Sequence, residues 1–347
     1  MLQCLHEMPQ LCQQAWQMVM KFDLPPDYSR VNKVVILGVG GSAIGGDLVS
    51  SLAISEAKLP VLIYRDYNLP AFIDAQTLVI ASSYSGMTEE VLSPFQQALE
   101  TESKKLAITT GGRMKTMAEA RKVPVFSFDY KAQPRAALAF SFLPILGFLC
   151  KLGFISDKSV DVDETVQVLQ NLSQKIGEDV PTPSNPAKQL AQKLYGNLVV
   201  IYGAGIVSEV AHRWKTQLNE NSKAWAFYEV FPELNHNAIV GYQFPPELAG
   251  KAVVVLLRST WLPHRIQLRY QVTCQLLEEA KVGYQIVDGD GTSPLSQIMS
   301  LVLYGDYVSY YLAMLNKIDP TPVKNIAYLK EQLAKDKGEQ ESNSASA

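Results

Sequence analysis

VVILGVGGSAIGGDLV, residues 34–49, opens the stretch that decides the fold. The unbroken aliphatic run Val34–Leu37 fits a strand buried on both faces, as in parallel sheets covered by helices on either side. A glycine-rich turn leads from it into a helix of small residues, giving a strand, a tight turn and a helix. Working outward, VLIYR (61–65), TLVIASS (77–83), KLAITT (105–110) and VPVFSFD (123–129) repeat the pattern and predict stacked βαβ units. A second series, LVVIYGAG (198–205), AWAFYEV (224–230), KAVVVLL (251–257) and VGYQIVD (282–288), can be laid over the first. Gly38 and Gly203 are 165 residues apart, and so are Ile63 and Tyr228. An internal duplication of one α/β unit explains this better than a single large sheet. The expected division is an N-terminal domain over 1–155, a polar, proline-rich linker over 156–186, a C-terminal domain over 187–335 and a disordered tail over 336–347.

At 347 residues, 47% hydrophobic and 19% charged, the chain is long enough for two globular domains. The 31 Lys and Arg against 34 Asp and Glu, with no basic block, argue against a nucleic-acid partner. Cys4, Cys12, Cys150 and Cys274 are scattered without a CxxC pair, so neither a disulfide framework nor a zinc knuckle is expected. The four histidines show no metal-ligand spacing with Asp or Glu, so no metal or cofactor is expected. The start of the chain lacks a basic n-region, and the apolar run Ala136–Cys150 is too short to span a bilayer. A cytoplasmic protein without a membrane partner is the expectation.

Two loops carry chemistry. Gly38-Val39-Gly40-Gly41-Ser42 brings backbone N–H groups close to any ligand at the start of a helix, a setting that favours an anion. Taken alone, this loop also permits a dinucleotide-binding fingerprint, with Asp66 as a ribose ligand. Ser82-Ser83-Tyr84-Ser85-Gly86-Met87-Thr88 clusters hydroxyls at a second strand-to-helix turn, where Ser83, Ser85 and Thr88 can surround phosphate oxygens without a metal. The plainer reading is that these hydroxyls only cap and turn.

These two motifs together resemble the SIS (sugar isomerase) domain. With PRAALAFSFLPILGFL (134–149), NENSK (219–223) and PELNHNAIVGY (232–242), the chain from about residue 30 to 335 resembles the bifunctional phosphoglucose/phosphomannose isomerases. That resemblance implies two SIS domains, each a doubly wound, mainly parallel, flavodoxin-like sheet flanked by helices. It also implies a homodimer acting on hexose 6-phosphates without a cofactor. The second half ends its matching strand in Leu257-Arg258-Ser259-Thr260-Trp261, which implies one phosphate site per chain, built from Gly41, Ser42, Ser83, Ser85 and Thr88.

Aldose–ketose isomerisation needs a base beside C1 and C2, a cation beside the enediolate oxygens and a group that opens the ring. The resemblance implies Glu220 as the base, Arg135 as the cation, and His236, donated across the dimer interface, as the ring-opening group. An imidazole as a class can exchange protons near neutral pH. Lys330 is preferred to Lys324 as a C-terminal active-site lysine, and Thr321 is a candidate for the pocket wall near C2. Each also has a plain structural alternative: a helix-end carboxylate, a cap on an apolar helix, a loop histidine, a solvated helix face. A sugar-phosphate sensor and a nicotinamide dehydrogenase are the competing readings. The first has no need of Glu220, Arg135 and His236 together, and the second leaves SSYSGMT and the second half unexplained.

Overall fold

The computed structural model describes residues 1–344. All nine strand expectations are met. The first sheet holds β1 (Lys33–Leu37), β2 (Val61–Tyr64), β3 (Thr77–Ser82), β4 (Lys104–Thr109) and β5 (Val125–Ser127), all parallel, in the order β2-β1-β3-β4-β5. The second holds β6 (Leu198–Ala204), β7 (Ala226–Phe231), β8 (Ala252–Arg258) and β9 (Gly283–Asp288), also parallel, in the order β7-β6-β8-β9. The duplication is visible in the register. Ile36 pairs with Ile63 and Ile201 with Tyr228, and both members of the second pair lie 165 residues after those of the first.

The helices in chain order are α1 (Leu2–Lys21), α2 (Gly41–Ala53), α3 (Glu89–Leu99), α4 (Gly112–Ala120), α5 (Leu138–Lys151), α6 (Ser159–Ile176), α7 (Pro186–Leu194), α8 (Ser208–Glu220), α9 (Pro246–Ala249), α10 (His264–Glu279), α11 (Pro294–Leu315) and α12 (Lys324–Ser344). Alternation along β1 divides its side chains between two cores. Val35 and Leu37 join Val91, Phe95 and Met114 on one face of the first sheet. Val34 and Ile36 face α2, α5 and a large core that continues without a break into the second half. That core is centred on α5 and α11. Gly45 lets α2 approach α5 closely, since a Cβ there would lie 2.3 Å from the Ser141 carbonyl oxygen. Of the described helices, α11 alone is long and apolar enough to cross a membrane, yet 78% of that window is buried inside the fold against α6, α7 and α8.

Two boundary expectations change. The stretch read as a linker contains α6, which buries Val162, Val166, Leu169, Leu172 and Ile176 against α11 and α1. Those positions recur at helical spacing, and the polar residues between them form the solvated face. The tail expected to be disordered begins inside α12, which runs to Ser344, and 345–347 lie outside the described residues.

Candidate active site

The first sheet reverses its winding between β1 and β3, so the loops leaving their carboxyl ends diverge and open a crevice. The two sequence-identified loops form its walls. Tyr84 N donates to the buried Ser42 Oγ at 3.2 Å, tying one loop to the other. Gly40 has φ +55° with open space on its Cβ side, the backbone-exposing geometry an anion needs, whereas Gly41 serves packing: a Cβ there would lie 2.9 Å from the Pro134 carbonyl oxygen and 3.0 Å from Arg135 N. In the second loop, buried Ser83 donates to Thr88 Oγ1 at 3.0 Å, and exposed Ser85 Oγ accepts from Met87 N at 3.2 Å. Thr88 occupies the N-cap of α3, but its side chain makes no capping hydrogen bond; it turns to Ser83 instead. Gly86 is required at φ +62°, because a Cβ there would sit 1.9 Å from the Gly111 carbonyl oxygen.

Beside this crevice the chain gathers residues from three distant segments around one guanidinium. Arg135, in a 3-10 turn (Pro134–Ala136) before α5, is only 3% exposed. Its Nε donates to Asn221 Oδ1 at 2.7 Å, Nη2 to the carbonyl oxygens of Pro320 (2.7 Å) and Thr321 (2.9 Å), and Nη1 to Glu220 Oε2 at 3.4 Å. A guanidinium carries five N–H groups, so these four bonds leave one, on Nη1, the nitrogen that also bonds Glu220. Burial makes the charged guanidinium easier to deprotonate than usual, against which the carboxylates of Glu220 and Asp306 work. Glu220 closes α8 with its side chain 28% exposed, so it meets both the cation and solvent.

Further hydrogen bonds hold these groups in place. Arg213 donates to the Arg135 carbonyl oxygen at 3.2 Å and pairs with Asp306 at 2.6 Å, both side chains being 2% exposed. Gln217 donates to the other Asp306 oxygen at 2.7 Å. Asn221 Nδ2 donates to Ser309 Oγ at 2.9 Å, and Ser222 Oγ to the Ser309 carbonyl oxygen at 2.7 Å. Lys223 Nζ donates to the carbonyl oxygens of Glu220 and, at 3.3 Å, Pro320; burial, and then Arg135, hold its pKa below the usual lysine range. Asn221 and Lys223 stood inside the NENSK motif, so the sequence contained the signal for them, whereas the Pro320 and Thr321 carbonyls have no side-chain signature.

Other expected residues are not gathered here. His236 ends a 3-10 turn (Glu233–His236) after β7; it is exposed and, among the described residues, its side chain forms no hydrogen bond or ion pair. Lys324 and Lys330 lie exposed on α12 and make no bond to the Arg135 cluster. Thr321 contributes its carbonyl oxygen, while its N–H donates to Asp319 Oδ1 at 2.8 Å. Spatial folding also brings together a trio that spacing did not reveal: the ligand atoms of Asp47, Glu209 and His212 lie within 4.8 Å of one another. Arg65 already pairs with Asp47, and the His212 ring stacks on Tyr228 at 4.7 Å, so the trio forms a polar seam between α2 and α8.

The chain is similar to known proteins over most of its length. Residues 183–333 match the bacterial phospho-glucose isomerase C-terminal SIS domain. A bifunctional phosphoglucose/phosphomannose isomerase of Caldicellulosiruptor bescii is 43% identical over 96% of this chain and 99% of its own length. One of Aquifex aeolicus is 35% identical over 90% and 94%. In fold, the chain resembles the C-terminal domain of glucosamine-fructose-6-phosphate aminotransferase from Francisella tularensis, with a TM-score of 0.72, 15% identity and coverage of 92% and 97%.

Proposed function

The chain belongs to the bifunctional phosphoglucose/phosphomannose isomerase family and is an isomerase of glucose 6-phosphate and mannose 6-phosphate; we propose that it works without a metal, through a cis-enediol, on the Arg135–Glu220 pair. The substrate phosphate binds at Gly41, Ser42, Ser83, Ser85 and Thr88, where hydroxyls and the amino ends of α2 and α3 offer donors to its oxygens, Gly41 through its backbone N–H. The sugar then extends toward Glu220. In the open-chain aldose, the Glu220 carboxylate takes the C2 proton, and the electron pair of that C–H bond forms the C1–C2 double bond and leaves the negative charge on the C1 oxygen. The remaining Arg135 N–H stabilises that charge; the hydroxyl proton at C2 passes to the C1 oxygen through the cis-enediol, and Glu220 returns its proton to C1 as the C2 carbonyl forms, giving fructose 6-phosphate. Deprotonated C2 is planar, so glucose and mannose 6-phosphate yield one enediolate, and a single base serves both epimers where rotation about C2–C3 turns either C2–H bond toward it. His236 opens the ring from the partner subunit of a cytoplasmic homodimer, which agrees with its exposure on one chain.

The observation that carries this reading is the Arg135 guanidinium, buried yet bonded to the half-exposed Glu220 carboxylate beside the hydroxyl-lined crevice. The test is fructose 6-phosphate formation from each aldose with EDTA present, using wild type, Glu220→Gln and His236→Ala. Turnover of both sugars should resist EDTA, vanish in Glu220→Gln, and in His236→Ala fall more on the cyclic sugar than on an open-chain analogue. Activity lost to the chelator, or kept by Glu220→Gln, would refute the mechanism.

A further inference from the structure

The turn that ends α8 contains a residue whose backbone and side chain pull in different directions. Asn221 N donates to the Gln217 carbonyl oxygen (2.8 Å), while Ser222 N (3.1 Å) and Ala224 N (3.2 Å) both donate to that of Leu218. This wrapping places Lys223 at φ +53°, a left-handed position usually taken by glycine. Lysines 122, 281 and 317 also have positive φ just past α4, α10 and α11. All four lysines are exposed, but among the described residues the side chains of these three form no hydrogen bond. Lys223 differs. Its ammonium turns back over the carboxyl end of α8, bonds the carbonyl oxygen of Glu220 itself, and reaches across to the Pro320 carbonyl oxygen at 3.3 Å. That same oxygen accepts from Arg135 Nη2 at 2.7 Å.

One carbonyl is thus shared by two cations, each of which also contacts Glu220: Arg135 at its carboxylate, Lys223 at its backbone. We propose that Lys223 is a positioning residue for the isomerisation, an ammonium clamp that holds the 319–321 loop against the end of α8 and so fixes the approach of Arg135 to the Glu220 carboxylate. A cation is favoured at a helix carboxyl end, where unpaired carbonyls gather. Only a side chain long enough to bridge from the helix to the loop does both jobs, which accounts for a lysine where the backbone prefers glycine.

This inference rests on the isomerase reading of the site, so its test runs beside Glu220→Gln. Lys223→Gly, Lys223→Met and Lys223→Arg are compared in the full chain by urea unfolding and by kcat and KM on glucose 6-phosphate. Glycine removes the backbone strain together with the clamp, methionine the clamp alone, and arginine keeps a cation. The glycine variant should unfold at a urea concentration no lower than wild type, yet lose about tenfold in kcat with KM changed by less than about twofold, because displaced catalytic groups cost rate more than binding. Methionine should lose as much kcat, and arginine should recover most of it. A glycine variant with wild-type kcat, beside an inactive Glu220→Gln, overturns the role of Lys223 alone. Loss of kcat only in step with loss of stability, in glycine and methionine alike, makes the residue purely structural and overturns it too. An active Glu220→Gln removes the site reading and this inference with it.

Discussion

Replacing Arg135 tests the site and the fold in one experiment, because the same guanidinium is asked to serve both. In Arg135→Met the apolar chain fills part of the volume but withdraws donors from Asn221 Oδ1 and from the Pro320 and Thr321 carbonyl oxygens, and leaves the Glu220 carboxylate without its cation. An orphaned neutral acceptor costs about 1–3 kcal/mol. The half-exposed side of the cluster admits water, which favours the lower end of that range, and burying a guanidinium carries its own desolvation penalty, which the substitution relieves. The net loss should be about 3 kcal/mol, close to what breaking a buried ion pair costs. Arg135→Lys keeps the charge but not the fork; an ammonium with three N–H groups on one atom cannot serve all four acceptors, Asn221 Oδ1, Glu220 Oε2 and the Pro320 and Thr321 carbonyl oxygens, so roughly 1–2 kcal/mol should be lost. Activity should fall further than stability. Losing a donor aimed at a developing oxyanion costs on the order of 100- to 1,000-fold in kcat, expected in Met, with Lys between that and wild type. Urea unfolding followed by circular dichroism gives the first quantity and steady-state turnover of glucose 6-phosphate the second. If Arg135→Met lost activity while its unfolding midpoint stayed at wild type, the hydrogen-bond network drawn around the guanidinium would be wrong. If Arg135→Lys matched wild type in kcat, the requirement for a bidentate donor would fall.

Two further outcomes test the supports. Asp306→Ala should cost about 3–5 kcal/mol in urea unfolding, because it strands the buried Arg213 charge and the Gln217 amide; the double variant Arg213→Met/Asp306→Leu should recover most of that loss, and a single variant costing under about 1 kcal/mol would refute the pair as a structural element. Glu164, on α6, has its pKa pushed up by partial burial, but hydrogen bonds from Ser293 and Thr292 outweigh this and hold it down from the usual 4.5 to about 2. Its folded value lies below its unfolded one, so its contribution is complete above about pH 4.5 and is lost as pH falls toward 2. The gap in unfolding free energy between wild type and Glu164→Gln should therefore be constant from neutrality to about pH 5 and close below it; a gap independent of pH would count against the bonds to the start of α11.

What the sequence disclosed followed the range over which each signal acts. Val34–Leu37 could be read as a buried strand because its four neighbours share one environment, and the 165-residue offset survived because register is carried by whole strands. Ser83 and Thr88 were legible for the same reason, being five residues apart on one turn. The misreading of 156–186 arose from judging composition before period: Val162, Val166 and Leu169 already spelled a buried helix face amid polar residues. The meeting of Arg135 with Glu220 is another matter. Nothing local links two residues 85 apart, and only resemblance to a family paired them beforehand. The 319–321 loop was less legible still, since it acts through carbonyl oxygens that any residue would supply. These groups meet because α5, α8 and α11 share one core. Trp214 of α8 sits against Gly305 of α11, where a Cβ would come within 2.3 Å of its ring nitrogen, so the spacing of those helices is fixed by contact. Asp306, the next residue on α11, holds Arg213 of α8, which in turn donates to the backbone of Arg135. The position of the Arg135 guanidinium is therefore set by the packing of two core helices from the other half of the chain, which local sequence patterns do not encode.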